Sequence, residues 1–240
     1  MYDTQRLLQE TENQLATPED PLAVRQSSRF VGTISKPSED GFVSSLINRR
    51  LSSAISQWLV TTSITPNIIT VVSFLICIAG AFLFGMGQYL YTALAGILVQ
   101  FASIIDGCDG EVARMRLISS PFGACLDTIL DRYADAAVVV GITYAYWVRH
   151  PDPAVWVVGL FALAGFILAS YTKKEYRIRY QERPPAGVLE KLSKRDLRLF
   201  GIMAGALVNH PFEAMVALGF LSHLWVTWSF LVAYARTRSF

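Results

Sequence analysis

Between residues 66 and 234 the chain breaks into long apolar runs separated by short polar turns. Crossing ~30 Å of hydrocarbon takes about 20 residues of helix, so runs of this length read as membrane spans. Six candidates cover about 66–86, 89–113, 121–148, 154–172, 197–208 and 211–234, the fifth being short. The breakers between them are expected ones: "GMGQ" at 85–88, "SSP" at 119–121, "HPDP" at 150–153 and "NHP" at 209–211. Composition agrees, with 52% hydrophobic and 17% charged residues, against a charged share of about 25% in an average soluble domain. A net charge of +2 gives no argument for nucleic acid as a partner.

Lys and Arg orient the spans. One set of ends carries Arg49, Arg50, Arg114, Arg116, the run 173–198, Arg236 and Arg238, whereas the other carries little beyond Arg149. The positive-inside rule then puts both termini and the 173–198 loop in the cytoplasm, which needs an even number of spans and so supports counting the fifth. Residues 1–39 read as a polar cytoplasmic tail and 40–240 as the membrane domain; residues 1–35 lack the apolar h-region of a signal peptide. Over 40–62, Phe42, Leu46, Ile47, Leu51, Ile55, Trp58 and Leu59 recur at helical spacing, with Asn48, Arg49, Arg50 and Ser52 mostly on the other side. That pattern fits an amphipathic helix lying in the membrane interface, or a helix packed on a partner domain. The expected fold is therefore an all-α integral membrane protein with six transmembrane helices preceded by an interfacial helix. Cys77, Cys108 and Cys125 have no metal or disulfide spacing and read as small packing residues.

The stretch "DGCDGEVARMRLISSPFGACLDTILD" puts four aspartates in this apolar context. Asp106, Asp109, Gly110 and Ala113 share a helical face at the end of the second span, and Gly123, Asp127 and Asp131 share one at the start of the third. A short turn at 119–121 makes the helices antiparallel, so the faces converge just inside the cytoplasmic boundary. Four such carboxylates need positive charge between them, and intramembrane charges usually mark function. Oxygen-only donors favour Mg²⁺ or Mn²⁺, and four aspartates suit a two-metal site for phosphoryl transfer. Gly110, Ala113 and Gly123 leave the helix faces bare, so a flat group such as a nucleobase could approach, and Arg114 could hold a diphosphate. Asp135 continues the row of the third span and reads as support for the site or a partner for an arginine.

The residues Asp106-x-x-Asp109-Gly110-x-x-Ala113-Arg114, eight further residues, then Gly123-x-x-x-Asp127-x-x-x-Asp131, resemble the signature of the CDP-alcohol phosphotransferase family at every defining position. The resemblance covers roughly 40–235 and includes the six-span architecture. It implies a CDP-linked alcohol as donor, a hydroxyl acceptor, release of CMP, two divalent cations (Mg²⁺ or Mn²⁺) and a homodimer. It implies Asp106, Asp109, Asp127 and Asp131 as metal ligands, with Asp131 also the base. Gly110, Ala113 and Gly123 would line the cytidine site with Asp106 beside them, Arg114 would contact phosphate, and Asn67 in "TPN" would join the donor site.

The wording of "KPSEDGFVSSLINRRLS", "DGCDGEVAR", "LDTILDRYAD" and "KRDLRLF" is similar to the branch that joins CDP-inositol to inositol phosphate, the di-myo-inositol phosphate phosphate synthases. Those are often fused to a cytidylyltransferase domain, for which this chain has no room; either a separate enzyme supplies CDP-inositol or the chain is a fragment. Lys173, Lys174, Arg177 and Arg179 follow the fourth span, where they could bind the phosphate of an acceptor or touch anionic lipid headgroups. The competing readings are a phospholipid synthase with a CDP-diacylglycerol or CDP-archaeol donor, an intramembrane prenyltransferase and a divalent-cation transporter.

Overall fold

The computed structural model describes residues 49–181, 184–185 and 187–237. The tail 1–39, the first part of the expected interfacial helix and Arg238 lie outside the described residues. Among the described residues, eight helices follow in order: α1 (Arg49–Leu59), α2 (Pro66–Gly85), α3 (Tyr89–Met115), α4 (Pro121–Arg149), α5 (Pro153–Tyr180), α6 (Val188–Leu192), α7 (Arg195–Leu207) and α8 (Pro211–Thr237). Proline opens α2, α4, α5 and α8, where its fixed φ suits the first turn and its missing N–H is no loss. Ser120 and Asp152 cap α4 and α5 by accepting from the N–H groups of Gly123 (3.0 Å) and Ala154 (2.8 Å).

Among the described residues, four helices are long and apolar enough to cross a membrane: Pro66–Gly85, Tyr89–Met115, Pro153–Tyr180 and Pro211–Arg236. The other two expected spans are helical but do not meet that measure, for different reasons. Helix α4 has 29 residues, but Asp127, Asp131, Arg132 and Asp135 interrupt its apolar run. Helix α7 has 13 residues, about 20 Å of rise. Helix α5 runs past the expected limit near residue 172, so Lys173, Lys174, Arg177 and Arg179 lie on its last turns rather than in a loop.

α3 and α4 both pack on α2, and α5 and α7 both pack on α8; the two groups are joined by α4 on α5 and α3 on α7. Short α7 packs closely because Gly96 of α3 faces it: a Cβ there would stand 2.8 Å from that of Ala206. The shared core includes Phe84, Val99, Val138, Ile142 and Ile202. Phe82, Leu90 and Phe230 stay more than two-thirds exposed, as lipid-facing side chains do. On α1, Ser52, Ser56 and Leu59 are buried against α3, while Leu51 and Trp58 point outward. Cys77 and Cys108 are buried packing residues; Cys125 is exposed, which corrects the packing expectation for that position. Its place early in α4, where few helices overlap, explains the difference.

Candidate active site

The α3–α4 elbow brings the signature faces together. Carboxylate oxygens of Asp106, Asp109 and Asp127 lie within 4.8 Å of one another, and all three side chains are half-buried. Helix α2 supplies hydroxyls from a shared face: Thr70 donates to Asp109 at 2.5 Å and Ser73 to Asp106 at 3.0 Å. Three close carboxylates with hydroxyls behind them form an all-oxygen donor set of the kind that hard divalent cations prefer, so these residues fit such an ion.

Asp131 takes a different place. It pairs with Arg195 at 2.6 Å and Arg132 at 3.2 Å, at the edge of the three-carboxylate group. Arg195 also meets Asp106 at 2.9 Å and Asp135 at 3.2 Å, so one guanidinium links three carboxylates from α3 and α4. Asp135 is buried and is met as well by Arg198 at 3.3 Å, which agrees with its reading as an arginine's partner. Arg198 itself is buried, lying over the Phe166 ring and donating to the Phe166 carbonyl.

Beside the carboxylates opens a cavity of about 390 Å³. Its walls include Asn67, Gly110, Ala113, Arg114 and Gly123, which are the expected donor-site residues apart from Asp106, together with the carboxylates of Asp109 and Asp127. Asp106 instead borders a narrow gap with Asp131 and Arg195. Gly123 lets Asn67 approach closely: a Cβ there would sit 3.0 Å from the Asn67 side-chain oxygen, which would have to shift by a few tenths of an ångström. The four basic residues of α5 diverge. Lys174 bonds the Thr128 hydroxyl at 3.1 Å, one residue beyond Asp127. Lys173 lies over the Trp225 ring, Arg179 pairs with Glu175 at 2.5 Å, and Arg177 is exposed.

Arg195, Thr70 and Ser73 are the functional neighbours that sequence reasoning missed. The signal for Arg195 was the aspartates' need for positive charge, and for Thr70 and Ser73 it was two hydroxyls three residues apart in an apolar run.

Residues 63–233 match the family model described as CDP-alcohol phosphatidyltransferase. The chain belongs to the CDP-alcohol phosphatidyltransferase family. Among similar relatives of this family, the "Bifunctional IPC transferase and DIPP synthase" of Archaeoglobus fulgidus is 37% identical over 216 residues, 88% of this chain and 40% of the relative. That of Thermococcus kodakarensis is 40% identical over 190 residues, 77% of this chain and 41% of the relative. The chain thus spans about two-fifths of the length of these relatives. The solved phosphatidylinositol phosphate synthase of Mycobacterium tuberculosis with CDP-DAG bound is similar, with a TM-score of 0.63, 26% identity, and coverage of 75% of this chain and 92% of that one. The same synthase has been solved in complex with manganese and citrate, with a TM-score of 0.62, 26% identity, and coverage of 76% of this chain and 88% of that one. The matched region therefore contains α2 to α7, most of α8 and the carboxylates together.

Proposed function

We propose that the chain transfers a phospho-alcohol group from a CDP-alcohol to an acceptor hydroxyl and releases CMP, with CDP-inositol as donor and inositol phosphate as acceptor. The observation that carries this reading is the cavity whose bare glycine faces run directly into Asp109 and Asp127. The names of the Archaeoglobus and Thermococcus relatives support the inositol substrates.

Asp106, Asp109 and Asp127 would hold two divalent cations, Mg²⁺ or Mn²⁺, which when bound neutralise and polarise the donor diphosphate. The protein's own groups do the rest. Asn67 and the faces of Gly110, Ala113 and Gly123 hold the cytidine, and Arg114 contacts phosphate. Asp131 takes the acceptor proton as the hydroxyl oxygen bonds to the phosphorus carrying the donor alcohol and the bond from that phosphorus to CMP breaks. Arg195 orients Asp131 beside Asp106. In the membrane, the chain crosses six times as a homodimer, with α1 in the interface and both termini and the site on the cytoplasmic side. Exposed Leu51 and Trp58 on α1 support the interfacial placement.

Of the four basic residues on α5, Lys174 is the one that reaches α4 beside Asp127, and it binds the acceptor phosphate. Lys174→Gln removes a charge-assisted contact worth roughly 1.5–3 kcal/mol, so the acceptor KM should rise about 10- to 100-fold. Donor KM should hold, and Lys173→Gln and Arg179→Gln should leave both constants nearly unchanged. Equal small effects at all positions, varying with anionic lipid, would reduce the cluster to topological charge.

The second reading is a phospholipid synthase with CDP-diacylglycerol as donor, favoured by the likeness to the solved synthase bound to CDP-DAG. The deciding test offers purified protein each CDP-alcohol with each acceptor and reads CMP release and product mass. A water-soluble inositol product supports the first reading, a lipid product supports the second, and no CMP from any pair refutes both.

A further inference from the structure

We infer that Arg116 is a positioning residue that fixes, relative to each other, two segments lining the large cavity; this rests on the reading of that cavity as the donor site. Arg116 ends α3, just where the chain turns into α4. Its side chain crosses to the segment joining α1 to α2. One terminal nitrogen donates to the Ile64 carbonyl at 2.6 Å. The other donates to the carbonyls of Leu59 at 2.6 Å and Val60 at 3.1 Å, and to that of Thr62. Four backbone acceptors within six residues thus share one guanidinium. The carbonyls of Leu59 and Val60 lie at the end of α1, where intrahelical donors run out, and a cation there also meets the negative end of the helix dipole. Among the described residues no carboxylate ion pair competes for this guanidinium.

The two segments it ties together both run on into the lining of the cavity. Directly after Ile64 come Thr65, Pro66 and Asn67, which line it. Directly after Arg116 the backbone turns through Leu117 at φ 56°, and Ile118, Ser119 and Ser120 line it too; the two segments meet at Gly123, where a Cβ would stand 3.0 Å from the Asn67 side-chain oxygen and 3.2 Å from the Ser120 hydroxyl. The Asn67 amide, which approaches Gly123 closely, is therefore placed by a side chain that touches no part of the cavity. Lysine cannot replace this: it offers three donors on one nitrogen, whereas the guanidinium offers a planar fork.

The loss expected is one of pre-organisation: without Arg116 the rim must be ordered by the nucleotide itself. CMP, common to every donor of the proposed reaction, is the probe. Arg116→Gln should weaken CMP affinity about tenfold, or ~1.4 kcal/mol. Arg116→Lys should fall between it and wild type, and Mn²⁺ affinity should stay within about twofold in both. Turnover at saturating donor should change little, so that the effect appears in donor KM. Asn67→Ala, which alters the wall itself, is measured alongside. If Asn67→Ala weakens CMP and Arg116→Gln does not, the inference is wrong while the donor site stands. If neither variant changes CMP affinity, the donor-site reading fails and the inference with it. Equal loss of CMP and Mn²⁺ affinity in Arg116→Gln would mark general disorder and overturn the positioning role. Should Arg116→Gln fail to fold, Arg116→Lys decides, and wild-type CMP affinity in that variant overturns the inference.

Discussion

Asp106→Asn, Asp109→Asn and Asp127→Asn are each expected to abolish CMP release. Asn keeps the volume of Asp but removes one negative charge and one hard oxygen donor. The three carboxylates lie within 4.8 Å of one another, so no neighbour is free to replace the one lost. Cation-based stabilisation of a phosphoryl transition state is worth several kcal/mol; losing ~4 kcal/mol slows the reaction about a thousandfold. Asp127→Asn is the cleanest of the three, because Asp106 also holds Arg195 and Asp109 also accepts from Thr70. The measurement is single-turnover CMP release at saturating Mg²⁺, with EDTA-treated wild type as reference. Near-normal rates in any of these variants, or wild-type turnover in EDTA, would remove the metal centre from the mechanism.

Arg195→Gln is expected to lower thermal stability by more than any other single change near the site. The guanidinium is 15% exposed and serves Asp106, Asp131 and Asp135 together. Without it three carboxylates face one another with Arg132 and Arg198 reaching only two of them, Asp131 and Asp135. Breaking a buried ion pair by removing one partner costs ~3–5 kcal/mol. Asp106 and Asp131 keep 20% and 16% of their side chains exposed, so water offsets part of the loss and the lower figure applies, about 3 kcal/mol. At roughly 2–4 °C per kcal/mol for a chain of this size, Tm in detergent should fall about 6–12 °C. Arg195→Lys keeps the charge without the fork and should recover part of it. A Tm within about 2 °C of wild type would show that the three carboxylates do not depend on Arg195.

The convergence of Asp106, Asp109 and Asp127 was legible because helical periodicity fixes which residues share a face, and the "SSP" turn forces α3 and α4 to run antiparallel. The limits of the spans were legible from Pro66, Pro121 and Pro211. What local pattern could not supply was the pairing of distant elements. Arg195 read as one charge in a basic run, because nothing near it in sequence places the start of α7 against α3 and α4. The α5 cluster read as one unit for the same reason. Lys173 turns to Trp225 of α8 and Lys174 to Thr128 of α4, a divergence that depends on which helices flank α5. Asp131 has the spacing to join the other three aspartates, and its pairing with Arg195 and Arg132 was not legible from that spacing.

The core described above also has an electrical meaning. Moving from the aspartates toward the opposite ends of α2, α3 and α4, past the buried polar side chains of Ser103, Gln100 and Asp135, the core closes on Cys77, Phe84, Val99, Val138 and Ile142, all buried. With the helices across a bilayer, those residues would form an apolar plug between the carboxylate cluster and the far side. On the function proposed above, such a plug leaves cations, substrates and CMP a single side from which to enter and leave, and closes the site as a route across the membrane. Vesicles carrying the protein should hold a Mg²⁺ gradient as long as empty ones, and faster decay would mean that the plug conducts.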